Sequence, residues 1–503
     1  MVAPLAYATL GVNNFIADSL MDIDGLNAIT LVYENSFENS RNLDLDSIFQ
    51  IPDTTIPTYF VLNFPVLLQP NFTFYPPTPT NVTLGISGVE LVQVIIKSGY
   101  LRFEARNRVQ ARVIYTYKIP GAIKNGVPFQ VTTTMNAAPP GGFTNYVDSF
   151  DMSGYIVDLR GSTGNSFNKL TYSVTARSDT GITPINIAAG DTLVNINAGL
   201  HDIVPYYAKG YLGQTEIDES PASQDFNLFS FIQSGHIRLQ EAKLKLTIEN
   251  SIGVDAQAFI MHLQSVNTHT ASVVDMASPI INHAINLNRA VESGNPLSPV
   301  NPSPTTVQFD NSNSNLRTFL ENFPDRLNYQ FKLKINPLGN ISGGNDFIYT
   351  DYLGKTTVRA ELPLAFAADH LTVADTAAFV IENSENYDPI GDGKLTLIVE
   401  NGFPFDAAIQ LMVLDENNHL LDSIPVAGTI AAGSTDTNFK VTAPTRSLIP
   451  IYIDANRKQH ILNGKNISIQ ASFTTPAFPQ YYQIYSDYKL YVKLVADAAY
   501  LIH

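Results

Sequence analysis

Apolar and polar residues alternate in step along much of this chain, and that alternation leaves it few ways to fold. Leu244, Leu246 and Ile248 alternate with Lys243, Lys245 and Thr247. Phe331, Leu333 and Ile335 alternate with Lys332 and Lys334, and Leu490, Val492 and Leu494 with Lys489, Tyr491 and Lys493. A period of two sends one set of side chains into a core and keeps lysine in water, which is the pattern of a strand. The expected fold class is therefore mostly β, in several antiparallel sandwich-like domains with a few short helices. The clearest helical spacing is Leu316, Phe319, Leu320 and Phe323, which predicts a helix over 314–323. Ser314 or Asn315 would cap it, and Pro324 would end it. A weaker helical pattern runs from Asn13 to Met21.

One octet recurs. Tyr100–Asn107, Lys243–Asn250 and Lys394–Asn401 each place three apolar residues at alternating positions and end on asparagine. The pattern predicts a strand, an asparagine that hydrogen-bonds the backbone just after it, and a returning strand. Asn107, Asn250 and Asn401 are thus the expected structural turns of a repeat. Each octet follows a turn-like stretch: Ser98-Gly99, Ser234-Gly235 somewhat further back, and Gly391-Asp392-Gly393. The spacing divides the chain into an N-terminal Pro/aromatic-rich β segment (1–85) and three β domains (86–230, 231–385 and 386–503). Closely spaced prolines from Pro296 to Pro304 suggest an extended linker.

Composition removes several kinds of chemistry. There is no cysteine among 503 residues, so thiolate catalysis, disulfides and cysteine-ligated zinc are ruled out. That absence also points towards the cell envelope or exterior. The net charge of −16 has the wrong sign for nucleic acid. Only 15% of residues are charged, against about a quarter in an average domain, so neutral polar side chains cover the surface. The richest apolar run, Tyr59 to Leu68, contains Pro65 and is about half the ~18–20 residues needed to span a bilayer. Met1-Val2-Ala3-Pro4 lacks the basic and apolar regions of an export signal. The reading adopted is a periplasmic or outer-membrane-associated protein whose export signal has been removed.

Catalytic and metal motifs are weak. Ser166 and Lys169 match SxxK without its companion motifs. His262 and His269, seven residues apart in a strand, would face opposite ways about 23 Å apart, and His283 follows. Asp22, Asp24, Asp44 and Asp46 resemble fragments of calcium loops that lack the closing glutamate. Glu216, Asp218 and Glu219 form a short acidic turn. The pairs Tyr206-Tyr207 and Tyr481-Tyr482 could stack on sugars or pack across strands. No residue is assigned a catalytic, cofactor or metal role, no cofactor is expected, and the chain is not expected to be an enzyme.

The opening Val2-Ala3-Pro4-Leu5-Ala6 with Phe15-Ile16-Ala17-Asp18-Ser19-Leu20 resembles the mature start of large envelope proteins of Bacteroidetes, often lipoproteins. Residues 44–53, Asn336-Pro337-Leu338-Gly339-Asn340 and Asn345-Asp346-Phe347 fit the same style. The lipobox cysteine of that group is missing, so no lipid anchor follows. Within that group the resemblance extends to the plug protein of the type 9 secretion translocon, which seals the periplasmic mouth of an outer-membrane barrel. The repeated octets are also similar to strands of late-embryogenesis-type and tubular lipid-binding modules. The resemblance thus implies a partner in an outer-membrane protein complex, with an apolar-ligand carrier as the alternative; the composition and the tyrosine pairs leave a glycan binder as a further one. The carrier would need a lined cavity of several hundred Å³.

Overall fold

The computed structural model describes residues 2–38, 50–218, 220–352, 354–378, 387–388, 394–497 and 499–500. Asp44, Asp46, Glu219 and Gly391-Asp392-Gly393 lie outside them. Antiparallel strands dominate, as the alternation predicts, with three short α-helices among the described residues. No described helix is long and apolar enough to cross a membrane.

One connectivity occurs three times, in the second and third units as two facing sheets and in the first as two halves of one eleven-stranded sheet joined through Ile156–Asp158. In the first unit, Glu90–Asn107 lies between Thr144–Asp151 and Thr192–Tyr211, while Val113–Lys124 lies between Val127–Met135 and Lys169–Ser178. In the second, Lys243–Asn250 lies between Ser303–Asp310 and Gly354–Pro363, opposite Ala256–Asn267 and Arg326–Ile335. In the third, Lys394–Asn401 lies between Thr445–Tyr452 and Lys489–Asp497, opposite Asp406–Leu414 and Asn466–Thr474. The inward positions of the asparagine strands are buried: Leu101, Phe103 and Ala105; Leu244 and Leu246; Leu395, Leu397 and Val399. Burying each Leu or Phe contributes about 1.5–3 kcal/mol.

Each of these strands ends on a buried asparagine, and the three make matching bonds. Asn107 Oδ1 accepts from the Val109 N–H (2.9 Å), while its Nδ2 donates to the carbonyls of Ala111 (3.0 Å) and Asn136 (2.7 Å). Asn250 accepts from the Ile252 N–H (2.9 Å) and donates to Asn288 O (2.8 Å). Asn401 accepts from the Phe403 N–H (3.0 Å) and donates to Phe405 O (2.8 Å) and Ala431 O (3.1 Å). One carboxamide therefore turns the chain towards the opposite sheet and also anchors a loop about thirty to forty residues on. Without it, a backbone N–H and one or two carbonyls would be buried unpaired.

The first 61 residues add one strand to every unit, in reverse order. Val2–Gly11 pairs with the C-terminal Lys489–Asp497 of the third unit. Ile29–Glu38 pairs with Gly354–Pro363 of the second, and Thr54–Val61 with Thr192–Leu200 of the first. Pro57 sits in the last of these, a strand paired on one side only, where proline is tolerated. The facing sheet of each unit is extended by the segment just before that unit: 73–83, 215–225 or 365–378.

Local differences from the sequence reading have physical causes. Gly99 does not sit in a turn. It lies within Glu90–Asn107 at φ +131°, beside a register shift, and a Cβ there would come within 2.7 Å of Ile203. Gly235 likewise starts the strand Ser234–Leu239, at φ +100°. The proline-rich stretch forms the hairpin Val291–Asn295 and Ser298–Asn301 and then enters Ser303–Asp310. The helix at Leu316–Glu321 follows Asn315, but that side chain turns away to bond Ala277 N and Asp275 O. The stretch from Asn13 divides into Val12–Phe15 and a 3₁₀ turn, Asp18–Leu20. A helix the periodicity does not signal, Ala455–Asn463, is capped by Asp454, which accepts from Asn456 N and Arg457 N.

Asn401→Ala is expected to lower stability by about 2–4 kcal/mol in urea unfolding, because it strands a buried N–H and two carbonyls. Asn401→Asp should be at least as damaging at neutral pH, since a carboxylate would face those carbonyls.

Candidate functional site

A cluster of charged and aromatic side chains lies where the first and second units meet. It is built on a strand of the second unit, Asp346–Tyr349, that pairs with the end of Thr192–Tyr211 in the first, Gly210 opposite Asp346 and Tyr207 opposite Tyr349. Asp346 is fully buried. Its Oδ1 accepts from Arg289 Nη1 (3.1 Å), and its Oδ2 from Asn336 Nδ2 (2.7 Å) and the Leu212 N–H (3.1 Å). Arg289 also donates to Asp255 Oδ2 (2.9 Å), Gly253 O (2.6 Å) and Asn345 O (2.9 Å). Asn336, in the left-handed conformation at φ +47°, gives its second proton to Gly213 O (2.9 Å). Every bond that Asp346 and Arg289 make here is thus spent within the joint. Gly253 packs so closely under Phe347 that a Cβ would lie 2.2 Å from the ring.

Beside this knot, Tyr206, Tyr207, Tyr349 and Tyr352 meet edge-on or tilted at centroid distances of 4.5–6.4 Å. Glu292 Oε1 accepts from the Tyr207 hydroxyl (2.6 Å) and Oε2 from Lys209 Nζ (2.8 Å). Burial pushes the Tyr207 phenol up, and Glu292 pushes it further in the same direction. Burial would raise Glu292 too, but the hydrogen bonds from Lys209 and Tyr207 outweigh it and hold the carboxyl below its usual range. An open groove of about 660 Å³ runs past these groups, lined by Lys209, Asp255, Arg289, Glu292, Ile341 and Phe347. Its cations and carboxylates pair with one another along a shaped polar surface.

The other residues singled out in the sequence fall apart in space. His262 lies 3.9 Å from Asp275, His269 bonds Asp325 (3.1 Å), and His283 bonds the Ile281 carbonyl (3.1 Å). Asp24 accepts from the Leu26 and Ala28 N–H groups as a turn residue. Glu216 bridges Lys332 and Lys334, and Asp218 also meets Lys332. Among the described residues no three His, Asp or Glu side chains gather as a metal would require. Ser166 and Lys169 flank Asn168, whose buried side chain accepts from Leu91 N and donates to Val89 O. Tyr482 is buried against Phe405, whereas Tyr206 and Tyr207 join the junction. Asn107, Asn250 and Asn401 are buried and bond backbone groups within the fold. Two apolar cavities, one in the core of the second unit and one between the second and third, measure about 50 and 70 Å³, well short of what a lipid chain fills.

Lys209, Arg289, Glu292 and the buried role of Asp346 were not legible as a site. Asn336 and Asp346 do fall in stretches the resemblance marks, which was the one available signal. Outside the junction, His201 Nδ1 lies 2.8 Å from Asp53 and its ring stacks on Tyr100 at 5.5 Å, a third contact that periodicity does not reveal.

No family model matches the chain, and neither does any curated protein. Among solved structures, a presumed secreted protein of Parabacteroides distasonis is similar at 13% identity over 56% of this chain and 82% of its own, with a TM-score of 0.31. The infectious bursal disease virus Gt strain structure aligns at 8% identity over 97% of this chain and 85% of its own, with a TM-score of 0.15. Dimeric latent PorU from Porphyromonas gingivalis aligns at 9% identity over 78% of this chain and 33% of its own, with a TM-score of 0.14. The first and third come from Bacteroidetes, the phylum of the resemblance above. At such TM-scores the likeness carries no argument about what this chain does.

Arg289→Leu would leave Asp346 buried without its cation, and should cost about 3–5 kcal/mol in urea unfolding, part of it recovered by adding Asp346→Asn. The lowered carboxyl of Glu292 gives a definite sign. Its contribution is complete above the usual value of about 4.3 and is lost as pH falls through the folded value. Stability of Glu292→Gln should therefore fall less steeply on acidification below about pH 4.3 than that of the unaltered chain, as read from unfolding midpoints across pH.

Proposed function

We propose that the chain is a non-catalytic protein of the cell envelope that acts by binding another protein or by occlusion. More narrowly, we propose that it seals the periplasmic side of the barrel of a type 9 secretion translocon. The observation that most supports this reading is mechanical: three sandwiches share one N-terminal arm, and the first two are also joined where Asp346 pairs with Gly210 and accepts from the Leu212 N–H. A seal has to keep its shape against a moving partner, and such pairing resists independent motion of the units. The junction groove supports it as well, because its charges are already matched and leave nothing to drive a reaction. The cavities of about 50 and 70 Å³ give no support to the apolar-carrier alternative.

Purification of the tagged full chain from native outer membranes tests this. Co-purification of a large outer-membrane barrel protein at near-stoichiometric yield is expected. Recovery without any barrel partner would contradict the sealing role.

A further inference from the structure

The outer faces of the second and third units differ in a way the fold does not require. In the second, the exposed side of the sheet carries an ion-pair ladder: Lys245 with Glu361 (3.2 Å), Glu361 with Arg359 (2.7 Å), and Arg359 with Glu34 (2.8 Å). Hydroxyl pairs Ser36–Thr357 (2.8 Å) and Thr247–Thr306 (3.0 Å) complete a surface made for water. The corresponding face of the third unit is aromatic and basic. Tyr7, Lys493, Ile398 and Leu448 form one row across its four strands, and Thr9, Tyr491, Glu400 and Arg446 the next. Lys394 and Tyr452 pair further along, and Lys489 stands beyond Tyr491 on the same side. Tyr7 is 81% exposed, Tyr452 72% and Leu448 62%.

The charge is equally distinctive. The whole chain carries −16, yet these four strands hold four cations (Lys394, Arg446, Lys489, Lys493) against two carboxylates, Glu400 and Asp497. Glu400 lies 3.8 Å from Arg446, at the limit of an ion pair. At physiological salt, fields fade within about 8 Å, so a surface touching this face meets its local positive charge and little of the distant negative charge. Tyrosine is the side chain that settles at a headgroup layer, with its ring towards the acyl chains and its hydroxyl in water. Lysines beside it reach lipid phosphates, and an exposed leucine gives an apolar point to insert. Four adjacent strands about 4.8 Å apart present these groups side by side, which suits an extended, nearly flat surface.

We infer that the outer face of the third unit rests on an anionic lipid surface, with Tyr7, Leu448, Tyr452 and Tyr491 at the headgroup level and the lysines on phosphates. The inference goes beyond the proposed sealing role. It stands or falls on one face, whatever barrel partner is recovered.

The test is co-sedimentation of the full chain with vesicles of phosphatidylethanolamine plus phosphatidylglycerol, and with vesicles of phosphatidylcholine alone, at about 0.15 M salt. Binding should favour the anionic vesicles and weaken as salt rises. Lys493→Glu should reduce it about tenfold or more, because one cation becomes an anion at the surface. Leu448→Ser should reduce it as well. Tyr59→Ser, an equally accessible tyrosine on the first unit, should leave it unchanged. Circular dichroism confirms that each variant is folded. The inference is overturned if the unaltered chain does not sediment with anionic vesicles, or if folded Lys493→Glu and Leu448→Ser variants bind as well as it does. It is also overturned if sedimentation equilibrium shows a dimer that Leu448→Ser dissolves, which would make the face a contact between copies.

Discussion

A strand with one unpaired edge turns a row of backbone N–H and C=O groups towards water, and that edge is where a sheet frays or joins another chain. Everything else in this structure depends on the strand that covers one such edge of each unit and takes its place as the outer edge. Each time that strand comes from the first 61 residues: Thr54–Val61 on the first unit, Ile29–Glu38 on the second and Val2–Gly11 on the third. The three sandwiches are therefore not beads on a string. Because the arm visits them in reverse order, its first strand lies against the last long strand of the chain. Such a pairing closes a loop of nearly the full chain length. The entropic cost of closure grows only slowly with length, so the arrangement is thermodynamically tolerable although it should form late.

The second constraint is the absence of cysteine. A protein with no disulfide has to fix its loops by other means, and here buried polar side chains do so. Asn107, Asn250 and Asn401 each bind the turn beside them and a loop well beyond it. At the first joint, Asp346 accepts from the Leu212 N–H and Asn336 donates to the Gly213 carbonyl across the units, while Arg289 braces Asp346 within the second. Buried polar groups of this kind add less net stability than apolar packing would, but they are costly to leave half-satisfied. They therefore favour one arrangement of loops and units over its near neighbours. The sealing role proposed above would need that property more than it needs high stability.

Strand character was legible because it is local: Leu395, Leu397 and Val399 declare a half-buried strand without reference to any other part of the chain. The three terminal asparagines could be picked out for the same reason, since the turn each makes lies within four residues of it. Pairing partners could not be read. Nothing in Val2–Gly11 names Lys489–Asp497, because register across nearly five hundred residues is settled by which edges remain open once the units have formed. The helix Ala455–Asn463 escaped because Ile461 alone is buried on it, leaving no apolar stripe. The junction escaped for a related reason. Lys209, Arg289, Glu292 and Asp346 are scattered in sequence and become a cluster only when two units meet. Ser98-Gly99 misled because a glycine inside a bulged strand has the same local signature as one in a turn.

The most direct measurement of whether the arm laces the three units into one body is hydrogen exchange of the full chain, followed peptide by peptide. The amides of 30–37 and 55–60 that point towards Gly354–Pro363 and Thr192–Leu200 should exchange as slowly as the amides of those partner strands. If the arm exchanged orders of magnitude faster while its partner strands stayed protected, the units would be independent sandwiches and the single rigid body would have to be abandoned.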